Sequence, residues 1–244
     1  KEMTPNLKAL GLALVAAFAM TAVMASGAQA QIKLTTGASP AWLTGEQIGS
    51  ATFTVENGGP VVSCQSVKGA ATVKNGDTAI TVVPTAYSGC FANIGTEKFK
   101  ATVTPNDCDG LVYGGTQVSS TTFSGGGGDL TCPAGKLVEV HIYKNEAETE
   151  ELCTLTIAEQ LNKKGGEVHN VAGSEGAPDH VMITGGVTVN TNRDGSLLCG
   201  KASNTAIATG IGTVKAFEYI GGTVSNGTIS GLVEGKQVSL TASE

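Results

Sequence analysis

The chain has 244 residues, of which 15% are charged and 5% aromatic, and a formal charge of −6. That length suits one large domain or two small ones. The acidic balance disfavours nucleic acid and anionic membrane as partners, because each requires clustered Lys and Arg against phosphate.

The first segment with a clear physical meaning is the N-terminus. Lys8 precedes an uncharged, mostly apolar run from Leu10 to Met24, and Ser26, Gly27 and Ala28-Gln29-Ala30 follow it. Charge, apolar run and small-residue cut site in that order predict a signal peptide over residues 1–30, removed after Ala30, with Met3 as initiator. The run is too short for a membrane span of roughly 20 residues. No cysteine stands at the cut for lipid attachment, and no second apolar run occurs before Glu244. The expected product is a secreted chain with no span after cleavage, covering residues 31–244. Two of the 15 basic residues and one of the 21 acidic residues leave with the signal, so its charge becomes −7.

Downstream, short alternating runs of Val, Ile, Thr and Ala end at Gly, Asn or Asp, the pattern of half-buried strands between turns. Strands are expected at Thr52 to Glu56, Ala71 to Lys74, Ala79 to Pro84 and around Phe99, Ala101 and Val103. Val138, Val140 and Ile142 alternate with Glu139, His141 and Tyr143, so one set faces a core and the other faces out. Cys153, Leu155 and Ile157 continue the pattern. Later strands are Val181 to Thr184, Gly186 to Asn190, Thr205 to Ala208, Thr213 to Glu218 and Gln237 to Ala242. The fold class is therefore all-β, an antiparallel β-sandwich or related closed β architecture. Ile157 to Lys164 is either a two-turn helix or a strand running into a turn. Gly125 to Gly128, after Ser119 to Thr122, reads either as a linker dividing sub-lobes 45–115 and 129–244 or as a loop within one domain.

The six cysteines, Cys64, Cys90, Cys108, Cys132, Cys153 and Cys199, are even in number and lack the close pairs that zinc requires. In an exported chain they predict three disulfides. Cys90 with Cys108 and Cys132 with Cys153 would each flank a hairpin, which leaves Cys64 with Cys199 as a long bridge.

Candidate chemistry is sparse. His141, His169 and His180 have neither HExxH nor H-x-H spacing, and no serine stands in G-x-S-x-G. Each is expected on the surface. Asp107 and Asp109 around Cys108 offer oxygens to calcium, although a turn accounts for the Asn106 to Gly110 sequence better. Asn192-Arg193-Asp194-Gly195 is expected as a hairpin turn, and Asn226-Gly227-Thr228 as another turn that matches a glycosylation sequon. The acids of Asn145 to Glu151 are expected at a solvated hairpin tip. Trp42 is the one tryptophan, which argues against a sugar-stacking face, and packing against the first strand is its expected role. No cofactor or metal is implied.

The elements Tyr87-Ser88-Gly89-Cys90, Asn106-Asp107-Cys108 and Thr131-Cys132-Pro133-Ala134-Gly135-Lys136, followed by Cys153 to Ile157, resemble a family of uncharacterised secreted, cysteine-patterned β-rich proteins of high-GC soil bacteria. The likeness covers roughly residues 50–200. It implies export and a β-rich fold, and brings no activity or site residue with it. The sequence favours a non-enzymatic extracellular or cell-surface β module that contacts another macromolecule. A secreted hydrolase and a calcium-stabilised adhesin are the competing expectations.

Overall fold

The computed structural model describes residues 32–49, 51–113, 115–174, 177–225 and 228–243. The expected signal peptide and the Asn226-Gly227 turn lie outside them. Strand β1 (Lys33–Thr36) precedes eight long staves. The first stave is β2 (Ala41–Gln47) with β3 (Ala51–Val55), and the second is β4 (Val61–Cys64) with β5 (Ser66–Val73). The third is β6 (Ala79–Ser88) with β7 (Phe91–Ile94), and the fourth is β8 (Glu97–Thr104) with β9 (Asp109–Tyr113). Short strands β10 (Thr116–Gln117) and β11 (Thr122–Ser124) lead to the fifth, β12 (Gly127–Thr131) with β13 (Val138–Tyr143). The sixth is β14 (Glu151–Ile157) with β15 (Gln160–Lys164), and β16 (Glu167–Val171) follows it. The last two staves are unbroken, β17 (His180–Gly195) and β18 (Ser203–Ser225), before β19 (Thr228–Val238) and β20 (Leu240–Ser243). No α-helix occurs among the described residues.

Each stave pairs antiparallel with the next, and β18 returns to pair with both β2 and β3. The result is a closed up-and-down barrel of eight staves, a form that leaves its staves no free sheet edge. Between the sixth and seventh staves the ladder runs from β14 to β17. Farther along, the Gln160 side chain replaces it: its Nε2 donates to Asn190 O and its Oε1 accepts from Asn190 N, both at 2.8 Å. Alternation places the apolar set inside. Val187, Val189 and Thr191 are buried while Gly186, Thr188 and Asn190 are exposed. Val138, Val140 and Ile142 are buried as the pattern predicts. Apolar residues inside and polar ones outside reverse the pattern of a barrel that faces lipid. Among the described residues, no helix is long and apolar enough to cross a membrane.

Pairing crosses the glycine-rich stretch without a break. Gly127 and Gly128 are ladder residues of β12, paired with β9 and β15, and β13 pairs with β8. Gly125–Gly128 is thus part of a turn and a stave of the barrel, and not a linker. Residues 157–164 are two strand segments with a break at 158–159, not a helix. The stretch Asn192-Arg193-Asp194-Gly195 lies within β17 instead of turning. The chain reverses later, through Ser196 and a 3-10 turn at Leu197–Cys199.

The disulfides correct the expected pairing. They join Cys64 to Cys90, Cys108 to Cys132 and Cys153 to Cys199. The expected bridges Cys64–Cys199, Cys90–Cys108 and Cys132–Cys153 all fail for one reason, that hairpin flanking ignores height along the barrel. Cys64, Cys90, Cys108 and Cys132 stand at the waist, where their staves break, and each bonds a lateral neighbour with Cα atoms 3.9 and 4.2 Å apart. Cys153 is register-paired with Ile142, far up the stave from Cys132, and meets Cys199 near the end of β17.

Two ends result. The stapled end, where the chain turns after β3, β7, β13 and β17, is filled by Phe53, Val55, Ile142 and Leu155, each no more than 4% exposed. The other end carries the long connections. Across its mouth, β1 and β20 form a two-stranded strap. Leu34 N donates to Asp77 O and Gly76 N to Leu34 O, which fixes the strap to the turn between β5 and β6. On the far side the Asn170 amide exchanges two 2.8 Å hydrogen bonds with the backbone of Ala242.

Candidate functional site

Beneath the strap lies an apolar cavity of about 70 Å³. Its walls come from the first four staves and the last two, and Leu34 and Leu240 of the strap and Val168 of β16 roof it. The space exists because side chains are missing where the register would place them facing one another. Gly45 of β2 is directly opposite Gly69 of β5. On the other flank Gly45 is paired with Val214, and Gly212 with Gln47. Glycine within a strand weakens it and commonly marks a close approach by a ligand or another backbone. Ala71, two residues from Gly69 on the same face, keeps the wall thin. Next to Gly69 the third stave bulges, since Lys68 pairs with Ala86 while Gly69 pairs with Pro84. The bulge accommodates Pro84 in a closed barrel, where a proline would otherwise remove a ladder hydrogen bond.

At roughly 24 cal/mol per Å³, leaving such a cavity empty costs about 2 kcal/mol. Among the lining residues only Thr78 and Tyr113 have polar side chains. The Tyr113 hydroxyl donates to Asp129. Burial first, then the hydrogen bond to Asp129 and its negative charge, push the Tyr113 phenol up to about 12. Tyr87, packed against the core, is raised further still by burial. No carboxylate, amine or imidazole belongs to the lining.

The histidines stand elsewhere. His141 is on the outer face of β13, with Nδ1 3.1 Å from both Glu151 Oε2 and Thr154 Oγ1 and Nε2 3.5 Å from Glu139 Oε2. A relay requires the nucleophile and the orienting acid on opposite ring nitrogens. Here hydroxyl and carboxylate share Nδ1 and a second carboxylate faces Nε2, so the ring is clamped between acids. His169 has Thr122 Oγ1 3.2 Å from Nδ1 and Glu167 Oε2 3.3 Å from Nε2. That order matches a relay, but Thr122 is the cross-strand neighbour of His169 and Glu167 lies two residues before it in β16, all on the outer face of the β11–β16–β17 sheet. His180 begins β17. None of the three lines the strapped cavity, nor a second, shallow pocket of about 440 Å³ beside Tyr87 and Asn106.

Asn106 and Asp107 both adopt left-handed backbone angles, φ 51° and 63°, which these short polar side chains tolerate. Asp107 is exposed, while Asp109 is buried in β9, so the turn splits the expected calcium oxygens. Among the described residues no group of three His, Cys, Asp or Glu side chains gathers to hold a metal. The acidic segment joins β13 to β14 as an exposed tip, held by a Lys144–Glu150 ion pair at 2.5 Å. Trp42 lies in β2, fully buried. Its indole donates to Gly221 O at 3.0 Å and its ring is 5.4 Å from that of Tyr219. The part of β18 that overruns the barrel covers it, so it offers no stacking face.

The alternation of the sequence does not reveal the cavity. Its one legible signal was the inward parity of Gly45 after Ala41 and Leu43. Comparison with known proteins adds no relative: no family model matches the chain, and no curated protein or solved structure is significantly similar to it.

Proposed function

We propose that this is a non-enzymatic binding protein that works outside the cytoplasm, at the cell surface or released from it. The observation that carries the reading is the internal cavity, apolar and lined by no carboxylate, amine or imidazole, beneath a strap held at both sides. Catalysis needs a positioned acid, base, nucleophile or metal. The described lining of the cavity offers none of these, and the His141 and His169 clusters lie on outer sheet faces. Three disulfides fit an oxidising compartment, in keeping with the export signal expected over residues 1–30.

The test uses oxidised protein lacking residues 1–30, purified from a secreting host. Native mass spectrometry before and after organic extraction is expected to show an extractable bound mass. A panel of ester, peptide and glycoside substrates is expected to show no turnover. Turnover that disappears in His169→Ala would overturn the reading and restore the hydrolase.

A further inference from the structure

We infer that the strapped cavity is a binding site for a short, uncharged aliphatic group. The inference rests on the reading of the protein as a binding barrel and adds what the barrel binds. Size comes first. A cavity of roughly 150 Å³ lined by aliphatic and aromatic side chains stays dry and takes up benzene. The strapped cavity, at about 70 Å³, has about half that volume. By proportion it holds an alkyl group of about three or four carbons.

Polarity comes second. Leu43, Ile80, Val82, Val112, Ile183 and Val214 are among the lining residues, nearly all of which are apolar. A charged group placed there would lose its hydration with no opposite charge to meet it. The guest is therefore uncharged along the part that enters. With Thr78 and Tyr113 the only lining residues that have polar side chains, a guest carries at most one hydroxyl or carbonyl at its edge.

Construction comes third. The opposed pair Gly45 and Gly69, with Gly212 on the next stave, places backbone where side chains would fill the volume. The three glycines thus gather on three neighbouring staves, with Gly212 one inward position from the partner of Gly45. The roof is also separate from the walls. Leu34 and Leu240 belong to the strap, which is hydrogen-bonded to the barrel at its flanks and is not one of its staves.

The aliphatic group could belong to a small free molecule or to the end of a longer chain, and the probes separate these. Amide chemical shifts of the isotope-labelled, oxidised protein are followed with xenon, butan-1-ol, octan-1-ol, dodecan-1-ol and octanoate. Saturable shifts with xenon and butan-1-ol are expected at Gly45, Gly69, Ala71 and Gly212. Octanoate is expected to bind at least tenfold more weakly than octan-1-ol under the same conditions. Dodecan-1-ol at least tenfold tighter than butan-1-ol identifies a chain end, and equal or weaker binding identifies a free small molecule. Ala71→Leu, which fills the space, is expected to weaken butan-1-ol at least tenfold, and Thr72→Ser on the outer face to leave it unchanged. If Ala71→Leu fails to fold, the xenon shifts of the unaltered protein decide. Absence of saturable shifts at these four residues with every uncharged probe overturns the inference. Should an extractable mass still be found in the purified protein, the binding reading survives and only this site falls. Preference for octanoate over octan-1-ol would also overturn it.

Discussion

The two ends of the barrel use one register in opposite ways. At the stapled end the inward positions hold Phe53, Val55, Ile142 and Leu155, and Cys153–Cys199 ties β14 to the turn after β17. At the strapped end the same parity brings in Gly45, Gly69 and Gly212, no disulfide crosses the mouth, and two short strands close it. Side-chain volume and the one bridge that lies away from the waist are concentrated at one end. The other end gives up packing energy for space, and that division separates a stabilising half from a binding half.

The largest test of the division removes the staple. Replacing Cys153 and Cys199 together by Ala opens a loop of 46 residues. Chain-entropy reasoning then predicts a loss of about 4 kcal/mol in denaturant unfolding. Hydrogen exchange is expected to accelerate first at Ile142 and Leu155, with the strap amides least affected; the reverse order would break the contrast. Next in size is Leu240→Ala in the roof. Leu240 is fully buried, so the truncation is expected to cost about 3 kcal/mol. It should enlarge the cavity enough to admit benzene, detected as new saturable shifts at Gly45 and Gly69. The smallest effect is alkaline. The Tyr113 phenol is raised in the folded barrel to about 12, against roughly 10 for an unperturbed phenol. Its contribution is therefore complete below pH about 10 and is lost as pH climbs toward about 12. Tyr113→Phe should flatten the fall in melting temperature over that window, and an unchanged slope would detach Tyr113 from the barrel's alkaline behaviour.

How far these halves could be read from sequence follows from what each is made of. The stapled half is written in side chains. Val138, Val140 and Ile142 alternate with polar partners, and so do Phe99, Ala101 and Val103, so their strands and inward faces were legible. The strapped half is written in the absence of side chains, and absence has no period. Val181 to Thr184 and Gly186 to Asn190 read as separate strands because Gly185-Gly186 looks like punctuation, whereas in the barrel Gly185 is a ladder residue opposite Gly210. Gly127 and Gly128 were open to a linker reading for the same reason. The cysteines announced three bridges but not their partners, because partner choice depends on where each stave breaks. That height is set by pairing across the whole sheet. Trp42 was placed near the first strand, but its cover comes from β18, which overruns the barrel 179 residues later in the chain at Gly221.

The order of the bridges has a consequence for how the molecule is made. First joins second, third joins fourth and fifth joins sixth, with separations of 26, 24 and 46 residues. A chain threaded N-terminus first into an oxidising space would present each cysteine together with its proper partner before the next pair arrived. Oxidation in order of emergence would then yield the native connectivity with no reshuffling. Such a barrel can mature with an oxidase alone, in compartments that lack a disulfide isomerase.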